Sequence, residues 1–110
     1  MPAYDLVGFH AQQAAEKSLK ALLIRHQVPF GKTHDLEDLL QLAEPLAPGI
    51  RQELAEAGAL TTYAVDARYP SEEPPLDRDE ATHHLAVAKK VLDRVETLLK
   101  SYLDAGRPSL

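Results

Sequence analysis

Apolar residues along this chain recur every three or four positions almost throughout, a spacing that predicts helices and no strands. The first predicted helix spans about Tyr4 to Gln27 and has no glycine after Gly8. At a turn of about 100° per residue, His10, Gln13, Glu16, Lys17 and Lys20 fall in one arc, and Leu6, Phe9 and Ile24 project into it. The rest of the circumference is mostly Ala, Leu and Val. A helix apolar over more than half its surface is packed by neighbours on several sides, so this one is expected to run through the middle of the fold. Its polar arc is then a candidate working surface.

Val28-Pro29-Phe30-Gly31 marks a turn. A second helix is expected to begin at Thr33 or His34, either of which can cap it, and to run through Leu36, Leu39, Leu40 and Ala43 to Pro45. After a turn at Leu46-Ala47-Pro48-Gly49, the positions Ile50, Leu54, Ala57, Leu60, Ala64 and Ala67 predict a third helix that ends by Pro70. Gly58 weakens it somewhat. Pro70 to Pro75 reads as an extended acidic connection inside one domain. Asp77 and Glu80 then form a capping box for the last helix, in which Ala81, Leu85, Ala88, Leu92, Val95, Leu99 and Tyr102 keep an unbroken 4-3 spacing. Val87, Val91 and Leu98 widen that stripe. The helix is expected to be about 25 residues long, and the tail from Asp104 to Leu110 to fray.

Composition narrows the function classes. With 110 residues the chain is expected to form a single domain, its core at about 4–103. It has no cysteine, which excludes disulfide scaffolds, zinc ribbons and thiol nucleophiles and makes a reducing, cytoplasmic setting the natural expectation. No apolar run approaches the roughly 20 residues of a membrane span, and Asp5 stands where a signal peptide would carry basic residues. A formal net charge of −5 argues against general DNA coating and leaves room for a local basic site. No glycine-rich phosphate loop, aspartate cluster or histidine-carboxylate metal spacing is present, so neither a cofactor nor a metal is expected.

Three local blocks stand together: the glutamine-alanine-glutamate-lysine run His10 to Lys20, Thr33-His34-Asp35-Leu36, and Tyr63 with Arg68-Tyr69-Pro70. In this order and spacing, over about residues 4–103, the chain resembles the HEPN domain, a small helical module often paired with minimal nucleotidyltransferases. The resemblance implies an all-α, antiparallel up-and-down bundle that usually dimerises and associates with nucleotide or RNA. Family members usually carry a further helix before the first block, and here only Met1, Pro2 and Ala3 precede it. Either the start is truncated or another subunit closes the groove that helix would fill. Because large exposed apolar patches are uncommon on monomers, a homodimer or larger homo-oligomer is expected.

Active HEPN ribonucleases carry an arginine and a histidine four to six residues apart near the start of the last helix, and Arg78 to His83 fits that spacing. Histidine suits proton transfer near neutral pH, and arginine suits stabilising a phosphorane-like charge, so the pair would support metal-independent RNA cleavage with the 2′-hydroxyl as nucleophile. Five helical steps set the two about 140° apart, so one chain does not readily converge them on a phosphate. Asp79 is also placed to pair with His83. Accidental occurrence is therefore the favoured reading of the pair.

On the first helix, His10, Gln13, Lys17 and Lys20 would line a shallow basic groove for phosphate or nucleotide, with Phe9 available for stacking. The plainer alternative makes Glu16 and Lys20 an ordinary i, i+4 pair on a solvated face. His34 and Asp35 read as capping residues. Arg68 at a helix end suits the dipole, and with Tyr69 it is also placed to complete an anion site beside the polar arc. Tyr63 and Tyr69 read more readily as core aromatics than as base-stacking platforms. Of the two functions that remain, a binding partner of a minimal nucleotidyltransferase in a toxin–antitoxin-like module is preferred to an endoribonuclease.

Overall fold

A computed structural model describes residues 3–60 and 76–106. Every regular element among them is helical: α1 (Ala3–Arg25), α2 (Leu36–Ala43), α3 (Ile50–Glu53), a 3₁₀ helix η1 (Ala55–Leu60) and α4 (Arg78–Gly106). The all-α expectation holds.

Helix α1 buries one stripe, Gly8, Ala11, Gln12, Ala15, Glu16, Leu19, Leu22 and Leu23. The stripe is narrower than the apolar content suggests, and Leu6 and Ile24 lie outside it, 44% and 65% exposed. It also includes two polar residues, Gln12 and Glu16, so part of the presumed working arc is interior. Helix α1 ends two residues earlier than the pattern predicts, where Gln27 takes φ 58°.

The start of α2 lies at neither Thr33 nor His34. Asp35 is the N-cap, its carboxylate accepting from Glu37 N at 2.9 Å. Thr33 Oγ1 accepts from Asp35 N at 3.1 Å, so threonine shapes the turn that delivers the cap. Leu36, Leu39, Leu40 and Ala43 are buried as the spacing requires. At the next turn Gly49 has φ 92°, a left-handed conformation that favours glycine. The Glu44 carboxylate accepts from Gly49 N and Arg51 N, and these bonds hold its pKa below the ordinary 4.5.

The third predicted helix is broken. Regular α structure stops at Glu53, and the chain tightens to 3₁₀ from Ala55 to Leu60 while still burying Leu54, Ala57 and Leu60. These three buried positions stand three apart, a spacing that a 3₁₀ turn brings onto one face. Ala64, Ala67 and the 70–75 connection lie outside the described residues.

Helix α4 opens on the predicted capping box, with Glu80 N donating to Asp77 Oδ1 at 2.8 Å and Asp77 N to Glu80 Oε1 at 3.3 Å. It runs 29 residues, to Gly106. Its buried positions are Ala81, His84, Val87, Ala88, Val91 and Val95, whereas Leu85 and Leu92 are 52% and 40% exposed. The inward face is therefore rotated from the expected stripe toward Val87 and Val91.

Leu76 N donates to Asp5 Oδ1 at 2.7 Å, and farther along Ser18 and Ala21 share a groove with Leu92, Val95 and Leu99. The two long helices thus run side by side in the same sense. The α3–η1 segment runs against α4, with Glu53 on Arg94 and Glu56 on His83, so the shorter elements carry the up-and-down alternation. The core between them is Leu19, Leu22 and Leu23 against Leu36, Leu39, Ile50, Leu54, Leu60 and Val91. Each such side chain contributes on the order of 1.5–3 kcal/mol by leaving water.

Candidate functional site

The most organised polar cluster sits where the middle of α1 meets the turn before α2. Gln12 is fully buried and Glu16 is 4% exposed. Gln12 Nε2 donates to Glu16 Oε1 at 3.0 Å and to the His34 carbonyl at 3.3 Å, while its Oε1 accepts from Gln13 Nε2 at 2.9 Å. Lys20 Nζ donates to Glu16 Oε2 at 3.2 Å. His34 Nδ1 lies 3.1 and 3.2 Å from the two Glu16 oxygens. A carboxylate only accepts, so Nδ1 carries the proton and donates.

Three donors thus converge on one buried carboxylate. Burial pushes the Glu16 pKa up, but the hydrogen bonds from Gln12, His34 and Lys20, with the Lys20 charge, outweigh it and hold the group below its ordinary 4.5. A carboxylate so occupied is not poised as a general base. Lys20 also lies 5.6 Å from the Phe30 ring centroid. The cluster therefore ties the 26–35 turn to α1 at His34 and Phe30, which makes Gln13, Glu16 and Lys20 a scaffold.

His10 and Lys17 are different. Both are exposed, and seven residues of helix put them on one outer face beside that scaffold. Phe9 lies next to His10, the ring centroids 5.7 Å apart. Arg68, Tyr69 and Tyr63 lie outside the described residues.

Arg78 and His83 do not converge. Both are exposed on one continuous α-helix, about 140° apart around its axis. His83 Nε2 is 3.4 Å from Glu56 Oε2, with both side chains 65% exposed. The partner expected for His83 was Asp79, one turn earlier on the same helix. The structure instead places Glu56 of η1 against it. The neighbouring His84 is buried, and burial first, then the nearby His83 charge, lowers its pKa from 6.5 against an opposing pull from Glu80.

Sequence reasoning missed Gln12, Phe30 and Glu56. Gln12 had a usable signal, since it precedes Glu16 by one helical turn within a run of alanines. Glu56 had none, because its role depends on how η1 lies across α4. Among the described residues, no three histidine or acidic side chains gather as a metal cluster, and no helix is long and apolar enough to cross a membrane.

Fold and cluster together define a small all-α module whose central helix is locked to the following turn through a buried glutamate. The model of the HEPN domain matches residues 1–98, and the chain belongs to that family. Neither the curated proteins nor the solved structures contain a match to it.

Proposed function

We propose that this HEPN protein is a dimeric, cytoplasmic binding module that partners a minimal nucleotidyltransferase in a toxin–antitoxin-like pair, with nucleotide or RNA engaged along the outer face of α1. The observation that carries the reading is the division of labour on α1. Glu16, Gln13 and Lys20 are consumed by the internal network, while His10 and Lys17 stand exposed beside it on a rigid support. An exposed lysine and histidine held on a fixed scaffold suit recognition of phosphate or of an acidic partner surface. Metal-independent RNA cleavage through Arg78 and His83 is the second reading, favoured by the exposure of both side chains near the start of α4.

The test is to establish whether the adjacent reading frame encodes a minimal nucleotidyltransferase, to mix the protein with that product, and to measure complex mass by light scattering after gel filtration; a neighbouring frame of another kind would count against the partnership. A stable complex, weakened by Lys17→Glu, is expected. Two separately eluting proteins at micromolar concentration would refute the partnership.

A further inference from the structure

His34 is held at both ends. Its carbonyl accepts from Gln12 Nε2 at 3.3 Å, and its Nδ1 donates to the buried Glu16 carboxylate at 3.1 and 3.2 Å. The side chain is nonetheless 51% exposed. With the Nδ1 proton given to Glu16, the lone pair of the neutral ring lies on Nε2, on the other side of the ring. Glu16 and Gln12 thus present a fixed hydrogen-bond acceptor at the surface. The cap of α2 does not need it, because Asp35 does the capping.

Lys20 Nζ and His34 Nδ1 each lie 3.2 Å from the same oxygen, Glu16 Oε2, so an ammonium and the imidazole stand side by side. An ammonium has three donors, and Lys20 spends one of them on Glu16. Lys17 is exposed on the same helix, less than one turn before Lys20. The carboxylate of Asp35, at the start of α2, repels phosphate from the opposite side.

We infer that His34 is a specificity-determining residue, its Nε2 accepting a hydrogen bond from the 2′-hydroxyl of a ribonucleotide whose phosphate lies toward Lys20 and Lys17. The spacing selects the sugar. An acceptor and an ammonium this close serve two groups a few covalent bonds apart, as the hydroxyl and phosphate of one ribose unit are, whereas a base edge lies farther from the phosphate. A deoxyribonucleotide brings the same phosphate and lacks the donor, so the site distinguishes the two sugars. Lys20 is held by Glu16 and by the Phe30 ring, so the contact reads the hydroxyl and supplies no acid for a leaving oxygen. The inference rests on the proposed engagement of nucleotide or RNA along α1 and names what that face discriminates.

Fluorescence anisotropy of the full chain with labelled oligouridylate and oligodeoxyuridylate, which differ only in the 2′-hydroxyl, tests this. The wild type is expected to bind the ribose form about tenfold more tightly, as one hydrogen bond allows, and the 2′-O-methyl form no better than the deoxy form. In His34→Asn the side-chain amide keeps a donor for Glu16 in the place of Nδ1 and lacks Nε2. That variant is expected to keep its helicity by circular dichroism and to bind both sugars with the deoxy affinity, whereas Lys17→Glu weakens both alike. Equal binding of the two oligomers by the wild type, or a preference that His34→Asn leaves unchanged, would overturn the inference and leave the nucleotide-binding face standing. Binding of neither oligomer, nor of uridine monophosphate, would overturn the face as well. Displacement of the bound RNA by uridine monophosphate and not by its 2′-deoxy form would support the contact with a free nucleotide as ligand, and binding of RNA that neither displaces would support it with the polymer as ligand. Displacement by both equally would count against it. Should His34→Asn lose helicity, the 2′-O-methyl oligomer decides, since binding as tight as that of RNA would show that the hydroxyl donates no hydrogen bond.

Discussion

Glu16 and His34, eighteen residues apart in sequence, meet at 3.1 Å, joining the middle of α1 to the residue before the α2 cap. The contact explains why a glutamate sits in the interior of an alanine-rich helix and why a histidine precedes the capping aspartate. Each satisfies the other, and Gln12 and Lys20 complete the set.

Replacing Glu16 by alanine is expected to cost about 2–3 kcal/mol, since the buried Gln12 amide and the Lys20 charge both lose their acceptor. Urea unfolding measures this. A loss below about 0.5 kcal/mol, typical of an exposed surface pair, would show that the network does not hold the turn.

The pH dependence of stability carries two signatures. The folded pKa of Glu16 lies below its ordinary 4.5, so its contribution is present above that pH and is lost as the pH falls through the folded value. The folded pKa of His84 lies below 6.5, so the unfolded chain takes up the proton first and stability begins to fall as the pH drops through 6.5. Thermal melts from pH 8 to pH 3 are expected to show a decline in two stages. His84→Gln should flatten the upper stage and Glu16→Gln the lower, and a variant profile parallel to the wild type would contradict the assignment.

Asp35→Ala is expected to destabilise by about 1 kcal/mol through loss of the α2 cap. Thr33→Ala should cost less, because Thr33 bonds the turn and not the helix N-terminus. Chemical denaturation of both variants checks the order, and equal losses would mean that the turn and the cap act as one unit.

Leu39→Ala and Leu85→Ala test the packing of the bundle. Leu39 is fully buried and its truncation is expected to cost about 2–5 kcal/mol. Leu85 is half exposed in the single chain, so measured at concentrations that keep the protein monomeric its truncation should cost under about 1 kcal/mol. Comparable losses would place Leu85 in the core after all.

Much of the fold was legible from spacing. The buried leucines of α2 and the Asp77–Glu80 capping box follow directly from local rules, because each depends on residues within one or two helical turns. The rotation of the α4 face was not legible, since Leu85 and Val87 are equally apolar and only the position of α1 decides which turns inward. The same holds for the candidate site. Glu16 and Lys20 were recognisable as a pair, but that their pairing is interior depends on His34 arriving from the next turn. His83 against Glu56 depends likewise on η1, whose 3₁₀ geometry the 4-3 pattern does not distinguish from α-helix.

Under the proposed function this HEPN protein binds and does not cleave. Incubating wild type and His83→Ala with single-stranded RNA in chelator, and following fragment formation on a gel, tests it most directly. The account predicts intact RNA with both proteins. Cleavage by the wild type that disappears in His83→Ala would contradict it and make Arg78 and His83 the working pair.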